Sequence, residues 1–164
     1  MESKKVKDSR VTIIQHMTQQ DANIFGNVHG GVIMKLIDNT AGIVAVRHTQ
    51  KNCVTASIDR LDFHHPVFVG DLLRVTAGIN FTGKTSMELG VRVESENVLT
   101  GEVKHTASAY LTFVCIDQNG KPADVPPVVF ETEDEKRRNC EAQRRRDNRL
   151  REKTGEKTGE ACDT

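Results

Sequence analysis

The sequence lacks the features that would assign it at once to several common classes of protein. Its formal net charge is zero, so nothing global indicates binding to nucleic acid or to an anionic membrane. No apolar run approaches the roughly 20 residues that a membrane-spanning helix needs. The first residues, MESKKVKDSR, are charged and contain no apolar segment typical of a signal peptide. We therefore expect a cytoplasmic protein that has no membrane partner and no nucleic-acid partner.

The cysteines argue against two further kinds of protein. Cys53, Cys115, Cys140 and Cys162 show no CxxC spacing and have no histidine cluster nearby. Such a pattern disfavours both a zinc site and a disulfide framework. We expect free thiols and no bound metal ion.

Composition divides the chain into parts of unequal character. Residues 1–130 contain nearly all of the Val, Ile, Leu and Phe, and a chain of about 130 residues can bury a core. Residues 131–152 are mostly charged and consist of good helix formers, which predicts a C-terminal helix with little apolar surface. Residues 153–164 repeat EKTG and are predicted to be a disordered tail.

The spacing of apolar residues predicts the order of secondary structure in residues 1–130. RVTIIQHM (Arg10–Met17) is β-branched and typical of a strand. Gly30–His48 is too long for an ordinary strand and favours a helix. Four strand-like runs follow, separated by turn residues: Val54–Asp62, Leu72–Phe81, Met87–Glu96 and Lys104–Asp117. Because no helix separates these runs, we predict an α+β fold with one long helix packed against a curved, mainly antiparallel sheet.

The long helix contains a carboxylate, Asp38, among apolar residues. A helical wheel predicts the following sheet-facing residues: Ile33, Leu36, Ile37, Thr40 and Val44, widened by Val32, Ile43 and Val46. Asp38 lies beside this face. It is either a solvated side chain paired with Lys35 or an active carboxylate that can act as a base, and spacing alone leaves both interpretations open.

The helix begins with two glycines, Gly30 and Gly31. Without a Cβ atom they let a ligand approach the backbone closely, and free N–H groups at the start of a helix face such a ligand. Groups of this kind can polarise a carbonyl and hold an oxyanion. Tight packing is the commoner reason for two adjacent glycines, so this signal is weak by itself.

Several segments, taken in order, resemble one family. DANIFGNVHGGVIMKLID (Asp21–Asp38) is followed by AGIVAVRH and by VTASIDRLDFHHPVFVGD (Val54–Asp71). TGKTSMEL (Thr82–Leu89) and VPPVVFETEDEKRR (Val125–Arg138) come later. This series closely resembles the hot-dog-fold acyl-CoA thioesterases, in particular the acyl-CoA hydrolases of bacteria and their tandem-domain relatives in animals. The resemblance covers roughly residues 10–140.

This resemblance implies a hot-dog fold, in which an antiparallel sheet wraps a long central helix. It also implies a homodimer formed edge to edge, and often a hexamer made of three dimers. The family's active sites lie between the two chains of a dimer, where one chain supplies an asparagine and the other an aspartate. These residues fall on Asn23 and Asp38, and a third family position, a Thr or Ser, falls on Thr55.

The residues and the resemblance together predict hydrolysis of fatty acyl-CoA to a free fatty acid and coenzyme A. Asp38 would activate water or attack the thioester as a nucleophile, and Thr55 would orient the water. A backbone N–H of Gly30 or Gly31 would hold the oxyanion. Asn23 of the neighbouring chain would position the water or polarise the carbonyl. No metal or redox cofactor is needed, because a thiolate leaves readily.

Coenzyme A carries phosphates, so basic residues should surround the groove. Arg60, Lys84 and Lys104 are the candidates, together with the hydroxyls of Thr82 and Ser86 in TGKTS. A hairpin turn with a solvated Lys84 explains the same residues equally well. TGKTS does not have the spacing of a nucleotide P-loop.

Two polar residues near the start of the helix allow two interpretations each. His29 is either a substrate contact or a structural hydrogen-bonding group. Asn27 either lines the groove or stabilises the turn before the helix, where Asn is favoured. A Ser/His/Asp triad is rejected, because the sequence has no GxSxG elbow.

Two other functions compete with hydrolysis. The first is an acyl-CoA sensor that binds its ligand without turning it over, against which the Asn and the Asp argue. The second is a hydratase on the same fold, which is a poor fit because the nearest downstream histidine, His48, is ten residues from Asp38. The run Arg144–Arg146 is expected to lie on a solvated helix over a neighbouring subunit, since acidic residues interrupt the basic ones.

Overall fold

A helix of 20 residues, α2 (Gly30–Thr49), packs against one face of a five-stranded antiparallel sheet. The computed structural model describes residues 2–158. The strands of this sheet, in chain order, are β2 (Val11–His16), β3 (Asn52–Phe63), β4 (Leu72–Thr82), β5 (Ser86–Glu96) and β6 (Val103–Ile116). In space they follow the order β2-β4-β5-β6-β3, so β2 and β3 are the edge strands. The α+β arrangement predicted from the sequence is confirmed.

The core lies between α2 and the sheet face that it covers, which we call the inner face. Alternate residues of the strands point into it, as the side-chain period of two requires. On β4 these residues are Leu73, Val75, Ala77 and Ile79, all of them buried. Ile33 and Ile37 of α2 are buried against them. The opposite, outer face of the sheet carries the remaining side chains.

The sheet-facing side of α2 is the predicted one, except at its edges. Ile33, Ile37, Thr40 and Val44 are buried, and Leu36 packs against the core. Of the residues predicted to widen this side, Ile43 is 43% exposed and Val46 is 45% exposed, whereas Ala41 and Ala45 are fully buried. Small alanine side chains at this edge let the helix approach the sheet closely, and Ile43 and Val46 are left uncovered in the single chain.

Short elements at both ends of the apolar part were not predicted. A two-residue strand, β1 (Lys4–Lys5), pairs in parallel with β7 (Val128–Val129), and the short helix α1 (Val6–Ser9) follows β1. The Lys4 ammonium donates to the carbonyl of His48 across 2.7 Å. These contacts hold the two ends of the domain near the C-terminal end of α2.

The C-terminal helix, α3 (Glu133–Thr158), lies on the outer face of its own sheet. Thr132 and Glu135 cap its start, since each side chain accepts a hydrogen bond from the backbone N–H of the other residue at 3.2 Å.

One expectation about this segment is wrong. Arg145, in the arginine run, contacts the sheet of the same chain and not a solvated surface. The helix ends later than the predicted residue 152 and continues to Thr158, because Lys, Glu and Thr continue a helix and one glycine costs only about 1 kcal/mol. The rest of the predicted tail lies outside the described residues. No helix between residues 2 and 158 is long and apolar enough to cross a membrane.

Candidate functional site

Asp38 meets Thr55 where α2 crosses the inner face near the start of β3. Thr55 pairs with Phe113 of β6, whose ring is buried in the core, so the threonine side chain points toward α2. Its hydroxyl donates to Asp38 Oδ1 across 2.6 Å. In the described part of the chain, Lys35 makes no ion pair with Asp38 and the second carboxylate oxygen, Oδ2, has no partner. This arrangement does not support the solvated Asp38–Lys35 pair, and it leaves one carboxylate oxygen free to bind water.

Asn23 is part of a tight loop between β2 and α2. Its Oδ1 accepts the backbone N–H of Phe25 at 2.9 Å and that of Asn27 at 3.2 Å, and its own N–H donates to the carbonyl of Asn27. Gly26 closes the loop with φ at 86°, a conformation that favours glycine. Because two backbone donors fix the oxygen of the Asn23 amide, its Nδ2 group points away from the loop and is left to donate. Asn27 takes part in this turn and also lines the cavity at the start of α2, so both of its predicted interpretations are supported.

His29 is the N-cap residue of α2. Its Nδ1 accepts the backbone N–H of Gly31 across 2.8 Å, so the proton of the neutral ring lies on Nε2. The N–H of Gly31 is therefore already bonded. The N–H of Gly30 has no acceptor among residues 2–158, which makes it the better of the two predicted oxyanion donors. The structural interpretation of His29 is supported, while its Nε2–H still faces outward from an exposed side chain.

A cavity of about 290 Å³ opens at the start of α2. Asn23 and Gly30 line it on one side, and Phe63 at the end of β3 and Val67 just after it line it on the other. Asp38 and Thr55 are not among its lining residues. Phe63 and Val67 were not identified from the sequence. The signal for them was the antiparallel direction of α2 and β3, which brings the end of β3 to the start of α2.

One chain thus carries two separate half-sites. The Asn half-site contains Asn23 and Gly30, and the Asp half-site contains Asp38 and Thr55. Asp38 follows Gly30 by eight residues, which corresponds to about 12 Å along a helix that rises 1.5 Å per residue. A thioester carbonyl and its attacking water span only about 3 Å. A single copy of the chain therefore does not assemble all of the predicted residues around one carbonyl.

The predicted coenzyme A contacts do not come together in the single chain either. Ser86 and Lys104 lie at opposite ends of the sheet. Strand β5 begins at Ser86, and it is Ser95, near the other end of β5, that pairs with Lys104. Nine residues of a strand separate these ends by about 30 Å. Arg60 is on the outer face and pairs with Asp62 at 2.5 Å. A rim formed by all of these residues would require more than one chain.

The TGKTS turn and Lys104 show mostly local contacts. Thr82 Oγ1 accepts the backbone N–H of Val128 at 3.2 Å, and the backbone N–H of Gly83 donates to the carbonyl of Ser86 at 2.8 Å. The Lys84 side chain is exposed at this hairpin. Lys104 pairs with Glu102 at 3.4 Å. Roles for these residues in binding coenzyme A remain predictions.

Histidines near the cavity make structural contacts. The ring centroids of His64 and His105 lie 5.0 Å apart, and His65 Nδ1 lies 3.0 Å from the carbonyl oxygen of His105. Burial, and then the positive charge of Arg92, lower the pKa of His105. Across the described residues, no group of three or more His, Cys, Asp or Glu side chains could hold a metal ion.

A larger cavity of about 580 Å³ lies on the outer face, between the sheet and the first half of α3. Its lining residues include Gly78, Gly90 and Tyr110, together with several arginine and carboxylate side chains. None of the predicted catalytic residues lines it. Its size therefore does not make it the site of the predicted chemistry, and the smaller cavity at Asn23 and Gly30 is the better candidate.

Comparison with known proteins agrees with the sequence resemblance. A profile of the thioesterase superfamily matches residues 25–102. The cytosolic acyl coenzyme A thioester hydrolase of Rattus norvegicus is 42% identical over 139 residues, which are 84% of this chain and 36% of that protein. The uncharacterized acyl-CoA thioester hydrolase YkhA of Bacillus subtilis (strain 168) is 42% identical over 134 residues, which are 82% of this chain and 74% of that protein. The chain thus spans little more than a third of the animal relative.

Solved structures match nearly the whole chain. A hexameric acyl-CoA thioesterase, solved in its apo form, has a TM-score of 0.89 at 40% identity and covers 93% of this chain and 97% of its own. An acyl-CoA hydrolase from Staphylococcus aureus, in complex with butyryl coenzyme A, coenzyme A and coenzyme A disulfide, has a TM-score of 0.88 at 33% identity and covers 96% of each chain. That hydrolase has also been solved with single Asp, Asn and Thr residues replaced by alanine.

Proposed function

The chain belongs to the thioesterase superfamily and has its hot-dog fold, and on that premise we propose that it hydrolyses acyl-CoA thioesters to a free carboxylic acid and coenzyme A. The observation that carries this proposal is the hydrogen bond from Thr55 to Asp38 Oδ1, which leaves Oδ2 without a partner among the described residues. An aspartate held in this way can take a proton from water or attack a carbonyl.

The reaction needs little beyond these residues. Water, activated by Asp38, adds to the thioester carbonyl carbon, and the proton passes to the carboxylate. The N–H of Gly30 stabilises the oxyanion at the start of α2, and Nδ2 of Asn23 donates to the carbonyl oxygen or to the water. The C–S bond then breaks, coenzyme A leaves as its thiol, and no metal or redox cofactor takes part. In the alternative path Asp38 Oδ2 attacks the carbonyl carbon, the C–S bond breaks and coenzyme A leaves as its thiolate. Water then hydrolyses the resulting mixed anhydride, which releases the acid and regenerates the Asp38 carboxylate.

Two chains complete one site in this proposal. In a symmetric dimer whose α2 helices run antiparallel, the Asn half-site of one chain faces the Asp half-site of its partner. Apolar side chains on the uncovered side of α2 and on the edge strand support such a contact: Met34, Ile43, Val46, Val54, Ile58 and Phe63 are all exposed. The midpoint between Gly30 and Asp38 is residue 34, so Met34 would lie near the two-fold axis. Each dimer then holds two equivalent sites, and three dimers form the hexamer.

The solved variants of the Staphylococcus aureus hydrolase support the choice of residues. An aspartate, an asparagine and a threonine were each replaced by alanine in that protein, and these are the residue types of Asp38, Asn23 and Thr55. The Rattus norvegicus relative is a cytosolic hydrolase, which supports a cytoplasmic location for this chain as well.

Thiol release from acyl-CoAs, measured from acetyl to palmitoyl, tests the proposed function. Asp38→Asn keeps the size of the side chain and an acceptor for Thr55 but removes the base, so kcat should fall by about 10² or more. Lys35→Ala, one turn away on the same helix, is the matched control and should retain wild-type kcat. If the wild-type protein binds these thioesters in calorimetry but releases no thiol, it is an acyl-CoA sensor and hydrolysis is excluded.

A further inference from the structure

The outer face of the sheet carries a buried group of charged and polar side chains beneath α3. This outer-face cluster consists of Asn80, Glu88, Asp59, Arg145 and Arg149. Glu88 is 1% exposed, Asn80 is 4% exposed, and the Asp59 and Arg149 side chains are 13% and 19% exposed. Charges are rarely buried to this extent unless each has a partner.

Glu88 is the centre of the outer-face cluster. Arg145 donates to both of its carboxylate oxygens, from Nη2 at 2.7 Å and from Nε at 3.1 Å, in the bidentate geometry of a strong pair. The guanidinium also stacks over the Tyr110 ring, with Cζ 3.7 Å from the ring centroid. Nδ2 of Asn80 donates to Glu88 Oε1 at 3.3 Å. These contacts join α3 to the middle strands β4, β5 and β6.

Arg149, one turn further along α3, extends the cluster to the edge strand. Its Nη1 donates to Asp59 Oδ2 and lies 3.9 Å from Glu88 Oε2. Asp59 also accepts the hydroxyl of Ser57 at 3.4 Å. Arg149 is therefore shared between the fixed carboxylate of β5 and a carboxylate of β3.

Asp59 lies in an irregular part of β3. The pairing with β6 shifts once between Thr55 and Ser57 and again between Ile58 and Arg60, so Asp59 is the extra residue of the second bulge. Each shift reverses the alternation of side chains. Thr55 consequently faces the inner side while Ser57 faces the outer side, two residues later.

These bulges decide where the Thr55 hydroxyl points. β3 is an edge strand and pairs with β6 alone within the described chain, so one side of the bulged segment has no neighbouring strand. A slip of one residue would turn Thr55 from the inner to the outer face and remove it from Asp38. A contact that fixes the bulged segment also fixes the hydrogen bond at the Asp half-site.

We infer that Arg149 and Asp59 are positioning residues for the proposed hydrolysis: the pair pins the second bulge of β3 to α3 and so holds Thr55 in hydrogen-bonding distance of Asp38. The inference rests on the proposed function for its kinetic consequence. The C-terminal helix then supports the inner face of the sheet, where Thr55 and Asp38 lie, although the helix itself packs on the outer face.

Steady-state kinetics of Arg149→Ala and Asp59→Ala test this inference, with Arg144→Ala as the matched control on the exposed side of the same helix. Each positioning variant should lower kcat by about 10-fold to 100-fold, because a displaced catalytic group is costly. KM should change by less than about twofold, since binding contacts remain. The double variant should be no slower than either single variant, because both remove the same link. Arg144→Ala should match the wild type.

A second background separates positioning from general destabilisation. In Thr55→Val the hydroxyl is already absent, so adding Arg149→Ala should cause no further loss of kcat. If Arg149→Ala lowers kcat by the same factor in both backgrounds, it acts on the fold and not through Thr55, and the inference is overturned. It is also overturned if Arg149→Ala lowers the melting temperature and leaves kcat unchanged.

Hydrogen exchange tests the same inference without turnover. Amides of residues 54–60 should exchange at least about 10-fold faster in Arg149→Ala than in Arg144→Ala if the pair holds the bulges. Equal exchange rates would overturn the inference whatever the activity. A wild-type protein that releases no thiol would remove the proposed function, and the exchange result would still decide whether Arg149 holds this segment of β3.

Discussion

Thr55 on β3 donates its hydroxyl hydrogen to Asp38 on α2 across 2.6 Å, although the two residues are 17 positions apart in the chain. The contact joins the helix to an edge strand and leaves one carboxylate oxygen unbonded. Thr55→Val keeps the shape of the side chain and removes the donor, so the carboxylate loses its orientation. We expect kcat to fall by about 10-fold or more, as for loss of an orienting hydrogen bond, while Thr55→Ser should retain most of it. Equal kcat values for the Val and Ser variants would contradict the role of the hydroxyl.

Two variants of Asn23 distinguish the structural role of its side-chain oxygen from the proposed chemical role of its Nδ2 group. Asn23→Asp preserves an oxygen that accepts the N–H groups of Phe25 and Asn27, so the loop and the melting temperature should be maintained. The variant lacks the Nδ2 donor, and kcat should fall by about 10² or more, as when an oxyanion donor is removed. Asn23→Ala should lose kcat to a similar extent and also loosen the loop. Wild-type kcat in Asn23→Asp would show that the outward-facing amide takes no part.

Mixing two inactive variants tests whether a site is shared between chains. When Asn23→Ala and Asp38→Ala chains carry different tags and are purified as a heterodimer, one of its two sites contains both mutations and the other contains neither. The heterodimer should therefore recover about half of the wild-type activity, as the symmetry of an isologous dimer requires. The chain that carries both mutations, paired with a wild-type chain, is the control and should leave each site with one defect. No recovery in the first heterodimer would place each site within a single chain.

Stability should decrease at mildly acidic pH because of His48. This side chain is fully buried at the end of α2, where Nε2 lies 2.8 Å from the carbonyl oxygen of Pro126 and Nδ1 has no partner within the described chain. Burial lowers the pKa of His48 below its ordinary 6.5, more than the hydrogen bond to Pro126 raises it. The unfolded chain therefore binds a proton at a higher pH than the folded chain does.

The sign of the effect follows from this order. The contribution of neutral His48 is complete above pH 6.5 and is lost as the pH falls from there toward the lowered pKa of the folded state, with a slope of at most about 1.4 kcal/mol per pH unit. His105 contributes in the same direction. His48→Gln, which can still donate to Pro126, should flatten part of this slope in urea unfolding between pH 5 and 7, whereas exposed His16→Gln should not. An unchanged slope in His48→Gln would exclude His48 as its source.

Two glycines that pair across β4 and β5 provide a test of the packing under α3. A Cβ atom on Gly90 would lie 2.6 Å from Nδ2 of Asn80, which is buried and bonded to Glu88. A Cβ atom on Gly78 would lie 3.7 Å from its nearest neighbour, Val6. Gly90→Ala should therefore lower the free energy of unfolding by about 1–3 kcal/mol, as overpacking does, while Gly78→Ala should have little effect. Equal melting temperatures for the two variants would contradict this account.

The sequence was sufficient to predict the order of the main elements, because each long segment has one clear period. The helix covers the predicted Gly30–His48 and continues by one residue to Thr49. The four later strands overlap their predicted ranges. The main sheet-facing residues of the helix were predicted correctly, but the edges of that side were not. Hydrophobicity alone placed Ile43 toward the sheet, while the structure places Ala41 there, because close approach of a helix depends on small side chains and a wheel ignores distance.

The sequence, through its family resemblance, predicted the site residues and their division between two chains, with Asn23 from one chain and Asp38 from the other. Asp38 and Thr55 meet within one chain, whereas Asn23 lies in the loop before α2, about two helical turns from Asp38. Spacing along the predicted helix already gives a separation of about 12 Å, but the hydrogen bond between Thr55 and Asp38 depends on how α2 packs on the sheet, which spacing does not give. The roles of Glu88 and Arg149 were missed for a different reason. Arg145 and Arg149 share one side of α3 with buried Ala142, and this spacing was a signal that a helix rich in charge has a side facing the protein.

Under the proposed function, the distance of about 12 Å between the two half-sites predicts a specific activity that depends on concentration. If a complete site exists only where two chains meet, dilution below the dissociation constant of the dimer separates each site into halves that cannot act. The rate would then fall with the square of the protein concentration and not in proportion to it. An assay performed at low enzyme concentration would underestimate the enzyme, and addition of an inactive Asp38→Ala chain, which still supplies an intact Asn half-site, would raise the measured rate.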